Sequence, residues 1–78
     1  MRHTIPCSNG RIGLGDRVVA DPRAYEGSHF PRPKRPGVVV GFQADGVLVN
    51  FGHKWSGKGP DYRRHGFTKA DALAYLRT

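Results

Sequence analysis

The chain has 78 residues, and thirteen Lys and Arg against six Asp and Glu give it a formal net charge of +7. A chain of this length forms one domain with one small core, and its single cysteine excludes an internal disulfide and therefore a disulfide-stapled secreted scaffold. No apolar run approaches the roughly 18 residues of a membrane helix, and the N-terminus lacks the apolar segment of a signal peptide. We therefore expect a cytoplasmic protein, and the positive charge makes nucleic acid the first partner to consider.

The first third of the chain predicts little regular structure. Residues 1–13 are polar and interrupted by Pro6, Gly10 and Gly13, so we expect a flexible tail, with the folded domain spanning residues 14–78. A short strand over Arg17–Ala20 ends at an Asp-Pro pair, because the residue before proline is driven into an extended or turn conformation. Residues 21–36 then form a long loop with four prolines, a length that is typical of functional loops.

Residues 37–51 are rich in valine, contain no basic residue and predict a β-hairpin. Strands over 37–43 and 47–51 are joined by Asp45-Gly46, a pair that supplies the positive φ of tight hairpin turns. Strict alternation predicts a shared core face and an opposite face. The predicted core face consists of Val38, Val40, Phe42, Val47, Val49 and Phe51, and the opposite face keeps Val39 and Leu48.

The last third predicts a second loop and a short helix. Residues 52–66 form the loop, and a fourth strand could include residues 62–64. Thr68 is a candidate N-cap with Asp71 three residues later, and the helix is expected to run to Arg77. We expect the core to receive Leu73 and Leu76 of this helix, which are three residues apart, together with Phe67 just before it.

The order of these segments resembles the small SH3-like β-barrels of the Tudor and KOW kind. Gly-Asp-Arg-Val at 15–18, Gly-Val-Val at 37–39, Val-Leu-Val-Asn-Phe-Gly at 47–52 and Ala-Leu at 72–73 match the strand pattern of such barrels. The resemblance implies a mainly β chain that forms a single SH3-like β-barrel with a short C-terminal helix. It concerns positions of a fold, and a fold by itself does not specify an activity.

The sequence pattern of this chain resembles three families that contain such a barrel. The Tudor-like C-terminal segment of bacterial superfamily-one DNA helicases contacts RNA polymerase or nucleic acid. The β-subunit barrel of nitrile hydratase has a similar opening and a comparable loop, here residues 27–33, but holds no metal ligand. The plasmid-borne, trimethoprim-insensitive dihydrofolate reductase has the Gly-x-Gly-Asp-Arg-Val seen at 13–18, but its Val-Gln-Ile-Tyr run is replaced here by residues 63–67.

Basic and aromatic residues are concentrated in the two predicted loops, which gives the candidate nucleic-acid-binding site. Lys and Arg neutralise phosphates, and Trp or Tyr rings stack on unpaired bases. The predicted site residues are Arg32, Lys34, Arg35, His53, Lys54, Trp55, Lys58, Tyr62, Arg63 and Arg64. The alternative is that the aromatic rings cap the open end of a barrel while the charges only solvate the loops.

Other chemistries find no matching pattern. The glycines at 56–60 lack the spacing of a phosphate-binding Walker loop, and the histidines and Cys7 lack the spacing of a zinc motif. No catalytic set emerges, and the acidic residues occupy turn and capping positions. We therefore predict no catalytic residue, no metal and no cofactor, and the oligomeric state stays open.

These observations predict a small, basic, non-enzymatic protein that contacts nucleic acid or a nucleic-acid machine such as RNA polymerase through its two basic loops. One alternative is a protein-interaction adaptor or inhibitor of a host enzyme, as a phage or plasmid accessory protein, and residues 30–36 could themselves be a proline-rich ligand. A second alternative is an oligomeric reductase of the plasmid dihydrofolate reductase type.

Overall fold

The described residues of this computed structural model, 3–27, 33, 35–52, 57–58 and 63–78, form seven β-strands and two short helices. The elements in chain order are β1 Thr4–Cys7, β2 Gly10–Gly13, β3 Arg17–Ala20, a 3-10 helix Pro22–Tyr25, β4 Gly37–Gln43, β5 Gly46–Asn50, β6 Arg64–Thr68, α1 Lys69–Tyr75 and β7 Leu76–Arg77. None of the helices in the described part of the chain is long and apolar enough to cross a membrane.

Five of the strands form one antiparallel sheet in the order β6-β5-β4-β3-β7, and β1 pairs with β2 as a separate hairpin. The prediction of a mainly β chain with a short C-terminal helix is confirmed. Strands β3 and β4 have the predicted bounds, whereas β6 begins at Arg64, where the predicted fourth strand ends. Within the described ranges, the edge strands β6 and β7 do not pair with each other, so no closed barrel is found.

The N-terminal segment is part of the core, and the prediction of a flexible tail is wrong for β1 and β2. Ile5, Cys7 and Ile12 are 4%, 3% and 0% exposed. The Ser8 N–H also donates to the Leu76 carbonyl at 2.8 Å, which joins the hairpin to the last strand. The alternation of Ile5 and Cys7 puts both on one buried face, and the neighbouring Pro and Gly residues obscure this short pattern.

The β4–β5 turn consists of Ala44 and Asp45, because Gln43 pairs with Gly46. The predicted Asp45-Gly46 turn is therefore one residue out of place, and Gly46 does not have positive φ. Glycine is required there for a different reason. A Cβ at Gly46 would lie 1.8 Å from the Phe67 carbonyl oxygen, so the backbones of β5 and β6 could not approach as they do.

The predicted core face of β4 is also wrong in its first half. Val39 is 1% exposed, whereas Val38 and Val40 are 40% and 42% exposed. The pairing of β4 with β5 shifts between Val39 and Gly41, so an extra residue interrupts the alternation. Phe42 then packs against the core on the same side as Val39, three residues away.

The buried hydrophobic residues form a single cluster to which every strand of the sheet contributes. Its members are Ile5, Cys7, Ile12, Val18, Tyr25, Val39, Val47, Val49, Phe51, Phe67, Ala72 and Leu76. The cluster lies between the inner face of the sheet and the layer made by the β1–β2 hairpin and α1, and the opposite face of the sheet is its outer face.

Helix α1 begins as predicted and ends earlier. The Thr68 hydroxyl accepts from the Asp71 backbone N–H at 3.1 Å, which confirms the N-cap. Ala72 and Leu76 are fully buried, but Leu73 is 54% exposed, so its predicted core position is wrong. The reason is that the helix ends at Tyr75 and turns its Ala72 side inward, while Arg77 belongs to β7 rather than to the helix.

Residues 21–27 are more ordered than the predicted loop. Asp21 caps the 3-10 helix by accepting from the Arg23 backbone N–H at 2.9 Å, and Pro22 occupies the first helical position. Tyr25, at the end of this helix, is 8% exposed and belongs to the core. The beginning of the long connection is therefore fixed to the domain by an aromatic side chain.

Candidate nucleic-acid interface

The two basic connections of the chain join the same end of the sheet. Val38 pairs with Asn50, and Asn50 pairs with Arg64, so the start of β4, the end of β5 and the start of β6 lie side by side. Residues 21–36 lead from β3 into β4, and residues 51–63 lead from β5 into β6. We call this edge the loop end, and we call the opposite edge, at residues 43–46 and 68–71, the turn end.

The two connections that join the loop end contain most of the positive charge of the chain. Residues 21–36 and 51–64 contain eight of the thirteen Lys and Arg and only three of the six Asp and Glu. The turn end contains Asp45, Lys69 and Asp71, one base against two acids. Charges of one sign at one edge add their fields and attract an anionic partner to that edge.

Four of the predicted site residues belong to the described part of the chain. Arg35, Lys58 and Arg64 are exposed, and Arg63 is half-buried. The Arg63 carbonyl accepts from the Phe51 N–H at 2.9 Å, which brings the two ends of the 51–63 connection together. The predicted site residues outside the described ranges are Arg32, Lys34, His53, Lys54, Trp55 and Tyr62.

The strand register adds Arg17 to these residues. Arg17 pairs with Val38, which continues the row of Asn50 and Arg64 across four strands. Directly paired residues point to the same face, and Arg17 and Arg64 are both exposed, so the row lies on the outer face. Three strand spacings place the two arginines about 14 Å apart at their Cα atoms. The alternation of exposed Arg17 with buried Val18 is the sequence signal for Arg17.

A cleft opens beside the loop end, where Pro33, Arg35 and Pro36 meet the start of the 3-10 helix and the end of α1. Its volume is about 570 Å³, and Arg35 and Arg77 both line it. We call it the Arg35–Arg77 cleft. Residue patterns along the chain do not predict it, because Arg35 and Arg77 are distant in sequence and only the β3–β7 pairing brings the last strand to this edge.

The connection of residues 21–36 is held against β6 by an aromatic cluster. The Tyr25 ring lies 5.1 Å from His65 and 6.5 Å from Phe67, measured between ring centroids, and His65 stacks on Phe67 at 4.5 Å. Burial raises the pKa of Tyr25 to about 12 and lowers the pKa of His65. The Tyr25 hydroxyl is buried and has no hydrogen-bond partner among the described residues. Both groups therefore favour their neutral forms in the fold.

Metal chemistry finds no site among the residues that the structure describes. No group of three or more His, Cys, Asp and Glu side chains there could hold a metal ion. The buried Cys7 thiol lies 3.5 Å from the Asn9 side-chain oxygen, as a donor to it. Cys7 therefore packs in the core as a small apolar side chain.

No protein-family model, no curated protein and no solved structure matches the chain. A function can therefore be proposed only from the residues and geometry of the molecule itself. The charged loop end, the arginine row on the outer face and the cleft are the features on which a proposal can be built.

Proposed function

We propose that this chain is a small, non-enzymatic protein that binds nucleic acid, or a nucleoprotein complex such as RNA polymerase with its nucleic acid, through the loop end. The observation that carries the proposal is that both basic connections join the same edge of the sheet. Two separate runs of Lys and Arg thereby act on one partner surface rather than on two.

The energetic basis is the release of counterions from phosphates. Each phosphate contact by Lys or Arg releases condensed cations, so affinity falls as salt rises. Arg17 and Arg64 on the outer face extend the positive surface from the loop end over four strands. Trp55 and Tyr62, which the sequence assigns to the same connection, would add base stacking of about 1–3 kcal/mol per base.

The proposal includes a finer description of the fold and the location. We propose that the five-stranded sheet and the N-terminal hairpin are a variant of the SH3-like barrel of the Tudor and KOW kind, and that the protein acts in the cytoplasm. The support for the fold is the antiparallel sheet with Gly-Asp-Arg-Val entering β3 and a short helix before the last strand. A continuous ladder of hydrogen bonds from β6 to the N-terminal hairpin, detected by NMR in solution, would support the barrel, and an unpaired edge at β6 would contradict it.

The decisive test compares charge removal at the two ends of the sheet. The double variant Arg63→Ala, Arg64→Ala removes two cations from the loop end, and Lys69→Ala removes one from the turn end. We expect the double variant to reduce the salt dependence of log K by about 1 to 2 and to weaken binding on both single strands and duplex. Lys69→Ala should leave affinity and salt dependence unchanged.

Fluorescence anisotropy of labelled oligonucleotides, measured over a salt series, gives both quantities. Circular dichroism of each variant checks that the fold is retained. Equal effects of the two variants, or unchanged affinity of the double variant at low salt, would contradict the assignment of the loop end.

Base stacking is tested separately with Trp55→Ala. If the indole stacks on unpaired bases, this variant should weaken single-strand binding about tenfold while duplex binding changes little. Trp55→Phe, which keeps an aromatic face, should restore most of the affinity. An equal loss on single strands and duplex would assign Trp55 a role in holding the connection instead.

Protein docking is a second candidate, and the outer face favours it. Val38 and Val40 are 40% and 42% exposed. Leu14, which is 57% exposed, precedes Gly15, whose N–H donates to the Val39 carbonyl. An adaptor or enzyme inhibitor would use these apolar side chains. Val40→Lys would then abolish partner binding, whereas nucleic-acid binding would be retained or strengthened by the added charge. Addition of NADPH with a sizing measurement checks the reductase alternative.

A further inference from the structure

The Arg35–Arg77 cleft has the size and the side chains of a binding site for a small, partly flat anion. Its volume of about 570 Å³ lies within the range of about 300–1,000 Å³ that small-molecule sites occupy. Besides the two arginines, its lining includes Ser8, Asp21 and Tyr75, and three prolines at 22, 33 and 36. Short apolar side chains, Val19 and Ala20 of β3 and Ala74 of α1, complete its lining.

The charge in this cleft is predominantly positive, because its acidic residue is already engaged. Asp21 accepts from Nε and Nη2 of Arg23 at 3.1 and 2.9 Å, and this hydrogen bonding holds the pKa of the Asp21 carboxyl below its usual value. Arg77 lowers that pKa further by its positive charge, so it lies within electrostatic reach of the same pair. Asp21 is therefore paired chiefly with Arg23, and Arg35 and Arg77 give the cleft two further positive charges that can attract an anionic group.

The same ion pair positions an aromatic ring at the cleft. The Arg23 guanidinium lies 6.0 Å from the centre of the Tyr75 ring, which is a cation–π distance. Arg23 therefore contacts Asp21 and lies near the Tyr75 ring. The Tyr75 ring and the prolines that line the cleft are flat or rigid groups, which suit a planar ligand better than a flexible chain.

We propose that the Arg35–Arg77 cleft is a subsite for one nucleotide of a single-stranded nucleic acid. The phosphate binds between Arg35 and Arg77, and the base packs against Tyr75 and the prolines. This subsite rests on the proposed function and adds to it a preference for unpaired bases. A phosphoserine peptide offers the same phosphate, but its phosphorylated side chain lacks the planar ring that these walls accommodate.

The path from the cleft to the arginine row supports this placement. Arg77 pairs with Val19, and Arg17 lies two residues along β3 from Val19. Residues two apart on a strand point to the same face and are separated by about 7 Å. A strand of nucleic acid that leaves the cleft at Arg77 therefore reaches Arg17 and then the row that ends at Arg64.

The test is a titration of the whole chain with adenosine monophosphate, adenosine and inorganic phosphate, followed by amide resonances in two-dimensional NMR. We expect adenosine monophosphate to shift the amides of Val19, Ala74 and Arg77, and to bind about tenfold more tightly than either adenosine or phosphate alone. Arg77→Ala should weaken adenosine monophosphate about tenfold, and Arg77→Lys should recover part of the loss because the charge remains without the two-pronged geometry.

Tyr75→Leu separates the two halves of the subsite. It should weaken adenosine monophosphate and leave inorganic phosphate unchanged, while Lys69→Ala should alter neither. The proposal is overturned if adenosine monophosphate shifts no cleft amide, if Arg77→Ala leaves its affinity unchanged, or if a phosphoserine peptide binds the cleft more tightly than the nucleotide does.

Failure of this subsite is distinguishable from failure of the proposed function. If oligonucleotide binding depends on Arg63 and Arg64 but not on Arg77, the loop end binds nucleic acid and the cleft does not. If the Arg63 and Arg64 substitutions leave oligonucleotide binding unchanged, and Arg77→Ala leaves adenosine monophosphate binding unchanged, both proposals are wrong.

Discussion

The two ends of the five-stranded sheet are built in opposite ways. At the turn end, two residues connect β4 to β5, and the backbones of β5 and β6 approach so closely that Gly46 admits no Cβ. At the loop end, connections of more than ten residues, rich in Lys and Arg, join β3 to β4 and β5 to β6. Close backbone packing is the main feature of the turn end, and positive side-chain charge is the main feature of the loop end.

This difference separates the residues that stabilise the fold from those that are available for binding. Close packing at the turn end leaves little room for change, because protein interiors tolerate even one extra methyl group poorly. The exposed arginines of the loop end contribute little to stability and can serve a partner. The aromatic cluster of Tyr25, His65 and Phe67 serves both purposes. Its buried rings stabilise the fold, and Tyr25 attaches a basic connection to the core.

The largest effect is expected at Gly46. Gly46→Ala places a Cβ against the Phe67 carbonyl, and relief requires the strands to separate, so we expect a loss of more than about 3 kcal/mol in the free energy of unfolding. The matched control is Gly41→Ala, which meets no atom within 4 Å and should change stability by less than about 1 kcal/mol. Urea unfolding measures both, and similar values for the two variants would refute close packing as the reason for Gly46.

The next effect concerns the attachment of the loop end. Tyr25→Ala removes a buried ring from the cluster with His65 and Phe67, and we expect a loss of about 3 kcal/mol in the free energy of unfolding. The same measurement on Arg35→Ala should give less than about 0.5 kcal/mol, because Arg35 is exposed. A small effect of Tyr25→Ala would show that the 21–36 connection is not held by this ring.

A conservative change at the same position should have the opposite sign. Tyr25→Phe keeps the ring and removes a hydroxyl that is buried without a partner, so we expect a gain of about 1 kcal/mol in the free energy of unfolding. Thermal and urea unfolding of this variant check the prediction. A loss of stability would mean that the hydroxyl makes a hydrogen bond in solution, for example to a water molecule.

The smallest effect is a pH dependence from His65. Because burial lowers its pKa in the folded state, the unfolded chain binds the proton more readily, and stability falls as the pH drops from about 6.5 through the folded pKa. The contribution is fully present above about pH 6.5, and its loss should be smaller than the effects above since the ring is only half-buried. His65→Gln should flatten this part of the stability profile, and an unchanged profile would assign the dependence to another group.

Much of the sheet could be predicted from local sequence. The valine-rich run and its flanking turns give the bounds of β4, and Thr68 with Asp71 gives the start of α1. These features depend on residues that are neighbours in the chain, so a short stretch of sequence is enough to predict them. The predicted interior of β4 was wrong at Val38, Val39 and Val40, because an extra residue in a strand reverses the faces without changing the composition.

Long-range contacts account for the remaining differences. The N-terminal hairpin is stabilised by its contact with the last strand, and four residues with Pro, Gly or Cys neighbours give too short a pattern to indicate it. The same holds for the site. Lys and Arg in the two connections are visible in the sequence, but the contribution of Arg17 and Arg77 depends on the strand register.

The bond from Ser8 to Leu76, and the bonds of 2.9 and 3.3 Å between the Asn9 side chain and Thr78, join residues that are nearly seventy positions apart. Contacts of such long sequence separation form late and slow the folding of small domains. During synthesis on the ribosome, the apolar side chains of the first hairpin therefore stay exposed to solvent until β7 has emerged. These side chains are Ile5, Cys7 and Ile12. This domain completes its core only after β7 has left the ribosome, and until then the apolar side chains of its first hairpin are exposed to proteases and to aggregation.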